Sequence, residues 1–277
     1  MPHRRLYTPI IPSDSIAKIV RDPNFVPRIW AGKGGRQDWW TTTTAAIAAA
    51  GGIARTSQII GTIRQGKGTP ETVFSRLAAE GIVTYTDARW TGWRIERWVA
   101  LDDRHPCMPE LRDLLSVIAR RLGPVPQPQS EILDVPKPPY SDAVTVDMER
   151  FFTNGARTRL LSLLAHVAPV TIYDVSGYGA QAVRQGHRTL YSLATCGLVS
   201  LHHSADEHHR VWVTLNRDAD YSGALGRLVS KVASFQRIPF AALKKINDAK
   251  IERLIRERSH STALLDRLKT REAILDT

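Results

Sequence analysis

Residues 184–192, Arg-Gln-Gly-His-Arg-Thr-Leu-Tyr-Ser, set Arg184, Gln185, His187, Arg188, Tyr191 and Ser192 opposite the apolar Leu190 on a helix. Long donors in that pattern suit hydrogen bonding to flat base edges and to phosphate, with Gln185 and Arg188 best placed for bases. A shorter set lies 116 positions earlier. If Val73, Phe74 and Leu77 face inward, then Thr72, Ser75, Arg76 and Ala79 face out. Thr and Ser are short enough to let a helix sink into a groove. Arg76 can pair with a guanine edge or hold phosphate. Lys67 precedes this helix in a Gly-Lys-Gly turn, within reach of phosphate, and Thr69 opens the helix beside Pro70.

Two hairpins carry further polar groups. The first presents Arg89 and Trp90 at its tip, then Trp93, Arg94, Arg97 and Trp98. Arg89, Trp90 and Arg94 are expected to touch backbone or a groove wall, and Trp98 to cover the core. The second holds His202, His203, His208 and His209, with Arg210 opening its return strand. Paired histidines could bind zinc or contact phosphate in a pH-sensitive way. Only Asp206 and Glu207 could complete a metal set, so His208, His209 and Arg210 read as solvated contacts to phosphate. No metal or other cofactor is expected.

Catalytic motifs are missing. The chain has no phosphate loop ending in Lys-Ser/Thr, no HExxH and no GxSxG. Gly32-Lys33-Gly34-Gly35-Arg36 lacks the spacing of a phosphate loop and reads as part of an arm. Asp102-Asp103 with His105 could suggest a metal nuclease. Their place between a hairpin and Pro106 favours a solvated loop instead. A non-enzymatic chain is expected.

The elements that position these groups occur twice. Thr56–Leu101 and Thr171–Asn216 each run helix, turn, helix, then Gly-Ile-Val or Gly-Leu-Val, then a polar hairpin. Arg76–Val83 aligns with Ser192–Val199 without a gap. A preceding helix is expected from Asp38 to Ala50, closed by Gly51-Gly52, and its counterpart over Arg157–Val167. Thr56 and Thr171 are expected to cap the second helices. Residues 108–122 form a trailing amphipathic helix. Gly123–Tyr140 then holds six prolines, which forbid regular structure.

This repeated pattern resembles the winged helix-turn-helix superfamily, over about 46 residues in each module. The resemblance implies that the third helix of each module enters a major groove, with the hairpin as wing. The expected fold is mainly α with small β-hairpin wings (α+β). A basic N-terminal arm (1–36) precedes module one with its trailing helix (37–122). A Pro-rich linker (123–145), module two (146–220) and a C-terminal helical extension (221–277) follow. That extension carries an apolar stripe (Leu243, Ile246, Ile251, Leu254, Ile255), weakened at Ser259–Ser261, and could pair two copies into a homodimer.

Charge agrees with a polyanion partner. The net charge is +11 over 277 residues. Residues 1–38 carry +4 and 217–277 carry +5, while 102–156 carry −3. Two cysteines without metal spacing suit a reduced compartment, and the longest apolar runs are too short for a membrane span. The expected protein binds double-stranded DNA by sequence, is cytoplasmic and nucleoid-associated, and regulates transcription. One alternative is a plasmid or phage replication initiator that binds origin repeats. The other is a protein–protein assembly module.

Overall fold

The computed structural model describes residues 27–31, 38–63, 70–90, 94–121, 147–178, 183–203 and 210–275. It is mainly helical, with two small antiparallel sheets of three strands each.

Unit one comprises α1 (Trp39–Ala49), β1 (Ile53–Arg55), α2 (Thr56–Ile63), α3 (Pro70–Ala79), β2 (Val83–Trp90), β3 (Arg94–Leu101) and α4 (Met108–Arg121). Unit two repeats the order. Its elements are α5 (Gly155–Val167), β4 (Val170–Thr171), α6 (Ile172–Tyr178), α7 (Val183–Thr195), β5 (Val199–His203), β6 (Val211–Leu215) and α8 (Ser222–Ala233). The strand orders match as well, β1-β3-β2 and β4-β6-β5. Strands β1 and β4 escape a reading by periodicity because three and two residues hold no period. They exist because β3 and β6 offer a free edge (Ala54 opposite Val99, Val170 opposite Val213).

Local chemistry explains the boundaries. Asp38 caps α1, its carboxylate accepting from Thr41 N at 2.9 Å. Thr41 to Thr44 are poor helix formers, yet all four are fully or almost fully buried, so packing supports the helix. The hydroxyls of Thr42 and Thr44 turn back onto the chain, donating to Asp38 O at 3.1 Å and to Trp40 O at 2.8 Å. Helices α3 and α7 end alike. Gly81 (φ 69°) and Gly197 (φ 71°) take the left-handed conformation. Ile82 N then donates to Leu77 O at 2.9 Å, and Leu198 N to Leu193 O at 3.0 Å. Thr171 caps α6 as expected, its hydroxyl accepting from Asp174 N at 3.3 Å. Thr56 does not cap α2. Its hydroxyl donates to Arg97 O at 3.0 Å and so ties the helix to β3.

The trailing helices α4 and α8 pack together. Asp113 near the start of α4 bonds Arg227 on α8, with Nε at 2.9 Å. Arg121 at the end of α4 bonds Asp220, just ahead of α8, at 3.1 Å, and its guanidinium stands 5.4 Å from the Tyr221 ring. The helices are therefore antiparallel. Asp102 and Asn216 are matched residues after each hairpin, for both donate their backbone N–H to the residue after the left-handed glycine. Asp113 and Arg227 each lie eleven residues further on. A residue that meets its own counterpart marks an approximate two-fold axis. The antiparallel pair α4 and α8 is related by that rotation.

One hydrophobic core runs through both units. The expected N-terminal arm is corrected here: residues 27–31 are not free but buried between the units. Trp30 is 4% exposed and packs among Trp40 and Phe151, with its indole N–H on Phe151 O at 2.9 Å. Trp30 N donates to Asp38 at 2.8 Å. Residues 1–26 and 32–36 of the arm, and the whole of the linker 123–145, lie outside the described residues.

Beyond unit two, α9 (Phe240–Leu275) runs 36 residues without a break at Ser259–Ser261, contrary to the expected weak point. Its first turns are engaged within the chain. Phe240 stacks on His166 at 4.5 Å, and Asn247 Nδ2 donates to Val167 O at 3.0 Å and Pro169 O at 2.9 Å. Lys250 bonds Asp174 on α6 at 2.5 Å. Further along, Ile255 is exposed.

A shared core should melt as one. Urea unfolding of the intact chain, followed by fluorescence and circular dichroism, is expected to give coincident single transitions. Trp30→Ala should cost about 3–5 kcal/mol and separate the two probes, because the strap holds both units.

Candidate nucleic-acid interface

Most of the residues expected to face out do so where the structure describes them, His187 and Ser192 being the exceptions. On α3, Val73, Phe74 and Leu77 are buried, and Thr72, Ser75, Arg76 and Ala79 are exposed. On α7, Leu190 and Leu193 are buried. Arg184, Gln185, Arg188 and Tyr191 are exposed, while His187 and Ser192 are half-buried. Each helix thus carries one polar face in solvent and one apolar face in the core.

Lys67, Thr69, His208 and His209 lie outside the described residues. Arg89, Trp90 and Arg94 sit on β2 and β3, with Trp90 opposite Arg94 in the register, and their side chains lie outside the described ones. Arg210 is half-buried just ahead of β6. Trp98 covers the core, as expected, with the Arg55 guanidinium 5.2 Å from its ring.

The opposite end of α7 is anchored at the junction. Carbonyls at a helix C-terminus attract cations. Arg28 of the strap meets that need on α7, donating its N–H to Cys196 O at 2.9 Å and its guanidinium to Thr195 O. Arg157 on α5 reaches across to hold the strap itself, through Arg28 O at 3.0 Å and through Ala31 O. Asp38 lies beside them. Burial pushes its carboxyl up, opposed by hydrogen bonds from Thr41 and Trp30 and by the Arg157 charge. At the matched place on α3, Glu80 ends the helix near Asp147, which precedes α5. Burial pushes the Glu80 carboxyl up to about 7, with Arg76 pulling it down and Asp147 adding to the rise. The strap thus holds the end of α7 directly, whereas Glu80 at the end of α3 faces the like charge of Asp147. Neither contact was visible in sequence, because the partners are far apart along the chain.

The acidic group at 102–105 is solvated only in part, with Asp103 and Arg104 exposed. Asp102 and His105 are 6% and 3% exposed. Burial alone would raise the Asp102 carboxyl, but hydrogen bonds from the Arg104 side chain and backbone hold it below its ordinary value. Arg104 Nε and Nη2 grip it at 2.9 and 2.7 Å. Asp103 bonds Arg112 at 2.8 Å. His105 Nδ1 accepts from Cys107 N at 3.1 Å, and burial pushes the imidazole down to about 4 against the pull of Asp102. These groups close the turn into α4. Among the described residues no cluster of His, Cys, Asp and Glu could hold a metal ion. In the second hairpin His202 Nε2 lies 2.9 Å from Thr214 Oγ1, a bond across the strands.

Tyr173 on α6 was missed by sequence reasoning. It is 67% exposed and meets His187 of α7 edge-on, with ring centroids 5.5 Å apart. The signal was present: Ile172 and Val175 are the apolar pair of α6, which leaves Tyr173 outside.

No family model, curated protein or solved structure matches this chain.

Glu80 gives a signed test. Its folded-state value lies above its ordinary one, so the folded chain holds a proton that the unfolded chain lacks between about pH 4.5 and 7. Its contribution to stability is present below that window and lost as pH rises through it. Glu80→Gln should therefore raise the urea midpoint at pH 8 and leave it nearly unchanged at pH 4. Equal shifts at both pH values would show that burial of its charge is not the cause.

Proposed function

We propose that this chain is a sequence-specific double-stranded DNA-binding protein of the tandem winged-helix kind, acting as a transcriptional regulator. The observation that carries the reading is the duplicated order helix–strand–helix–helix–hairpin, with a polar, arginine-bearing face turned to solvent on the third helix of each copy. That is where a winged helix presents its reading helix to a major groove. A net charge of +11 supplies the attraction to phosphate.

In this reading Arg188 and Gln185 contact base edges through α7, and Arg76 does so through α3, with Thr72 and Ser75 short enough to let α3 approach the groove floor. Arg184 and Arg210, with Lys67 and Arg89, hold phosphate. The approximate two-fold axis lets one chain address two half-sites in opposed orientation. The two faces differ in residue type, so the half-sites differ in sequence.

The test separates base contacts from phosphate contacts. Arg188→Ala should cost about 1–3 kcal/mol on the preferred duplex and relax preference in one half-site. Lys67→Ala should weaken all duplexes alike and flatten the salt dependence by about one unit. Fluorescence anisotropy across a salt series reads both. Identical behaviour of the two variants would remove α7 as the reading helix, and salt-insensitive binding would favour a protein-assembly role.

A further inference from the structure

The two outward faces are not chemically alike, and the difference names a further ligand. Among the described residues the large apolar or aromatic side chains left exposed are Tyr173, Tyr191, Phe235, Ile246 and Ile255. Two of these five share one surface of unit two. Tyr191 follows His187 by one helical turn on α7, and His187 meets Tyr173 on α6 edge-on at 5.5 Å. Tyr173 and His187 thus meet ring to ring, and Tyr191 stands exposed one turn further along the same face of α7. Arg184 and Arg188 are exposed beside it on the same helix. His187 Nε2 is buried and has no hydrogen-bond partner among the described residues.

The matched positions in unit one carry no ring. The ungapped alignment of the reading helices puts Ser75 at the place of Tyr191, and the alignment of Thr56 with Thr171 puts Gln58 at the place of Tyr173. Ser75 and Thr72 leave α3 slim enough to enter a paired groove. A tyrosine in mid-face and another on the preceding helix leave α7 broader, with aromatic surface exposed in the free protein. Exposed aromatic rings between arginines are the usual means of holding unpaired bases, because every base has a π-face and every nucleotide a phosphate.

We infer that Tyr173, His187 and Tyr191 stack unpaired bases, so that unit two prefers DNA opened at its half-site while unit one holds the adjoining duplex. The inference rests on the DNA-binding reading above.

The probes are a labelled duplex of about 30 base pairs and the same duplex with a central bubble of about eight mismatched positions, within the span one small nucleic-acid module covers. The intact chain should bind the bubble about tenfold more tightly than the paired duplex. Tyr173→Leu with Tyr191→Leu should bring that ratio near one, and Tyr173→Phe with Tyr191→Phe should keep it, because stacking needs the ring and not the hydroxyl. Circular dichroism and the urea midpoint check that the variants fold. A ratio near one in the intact chain overturns the inference and leaves duplex binding standing. A ratio that survives the Leu pair places the preference elsewhere and overturns it too. A ratio lost equally in the Phe pair assigns the effect to the hydroxyls and overturns stacking. Binding to neither probe would instead sink the DNA-binding reading itself.

Discussion

The interaction on which the structure depends is the buried strap at residues 27–31. Five residues lie between the units and leave few polar groups unpaired: Asp38 and Thr41 of unit one receive the N–H groups of Trp30 and Ile29, and Arg157 of unit two binds its carbonyls. Buried backbone groups require such partners, since an orphaned one costs about 1–3 kcal/mol. The strap thereby turns two repeats into one body. It also caps α7 through Arg28, so the same residues that bind the units together set the end of an outward helix.

The antiparallel crossing of α4 and α8 supplies the second constraint. Its ion pairs are largely exposed and contribute little energy by themselves. Their value is geometric, because Asp113 meeting Arg227 sets the axis. Across that pair the two repeats share one core within one polypeptide. Each half can then diverge, which a homodimer cannot do. The polar α3 face and the aromatic, arginine-rich α7 face are the outcome of that freedom.

Much of this was legible in sequence. The repeat, the inward set Val73-Phe74-Leu77 and the apolar side of α7 at Leu190 follow from helical spacing. What could not be read depends on contacts between distant segments. Trp30 and Arg28 look like members of a basic arm until Phe151, Arg157 and Cys196 are brought beside them. Asp102 and His105 look solvated until Arg104 and Phe151 enclose them. The two-residue β4 has no pattern of its own, and Tyr173 becomes informative only once His187 stands next to it. For the interface, the outward residues of α3 and α7 were foreseeable by periodicity, whereas the Arg28 anchor and the burial of Glu80 were not.

The most direct measurement is selection of bound duplexes from a random library by the intact chain at two salt concentrations, with the stoichiometry of the selected complex. The account expects a two-part motif with unlike halves in opposed orientation, one chain per duplex, and weaker binding at the higher salt. A motif made of identical direct repeats, two chains per duplex, or the absence of any salt-sensitive binding would contradict it.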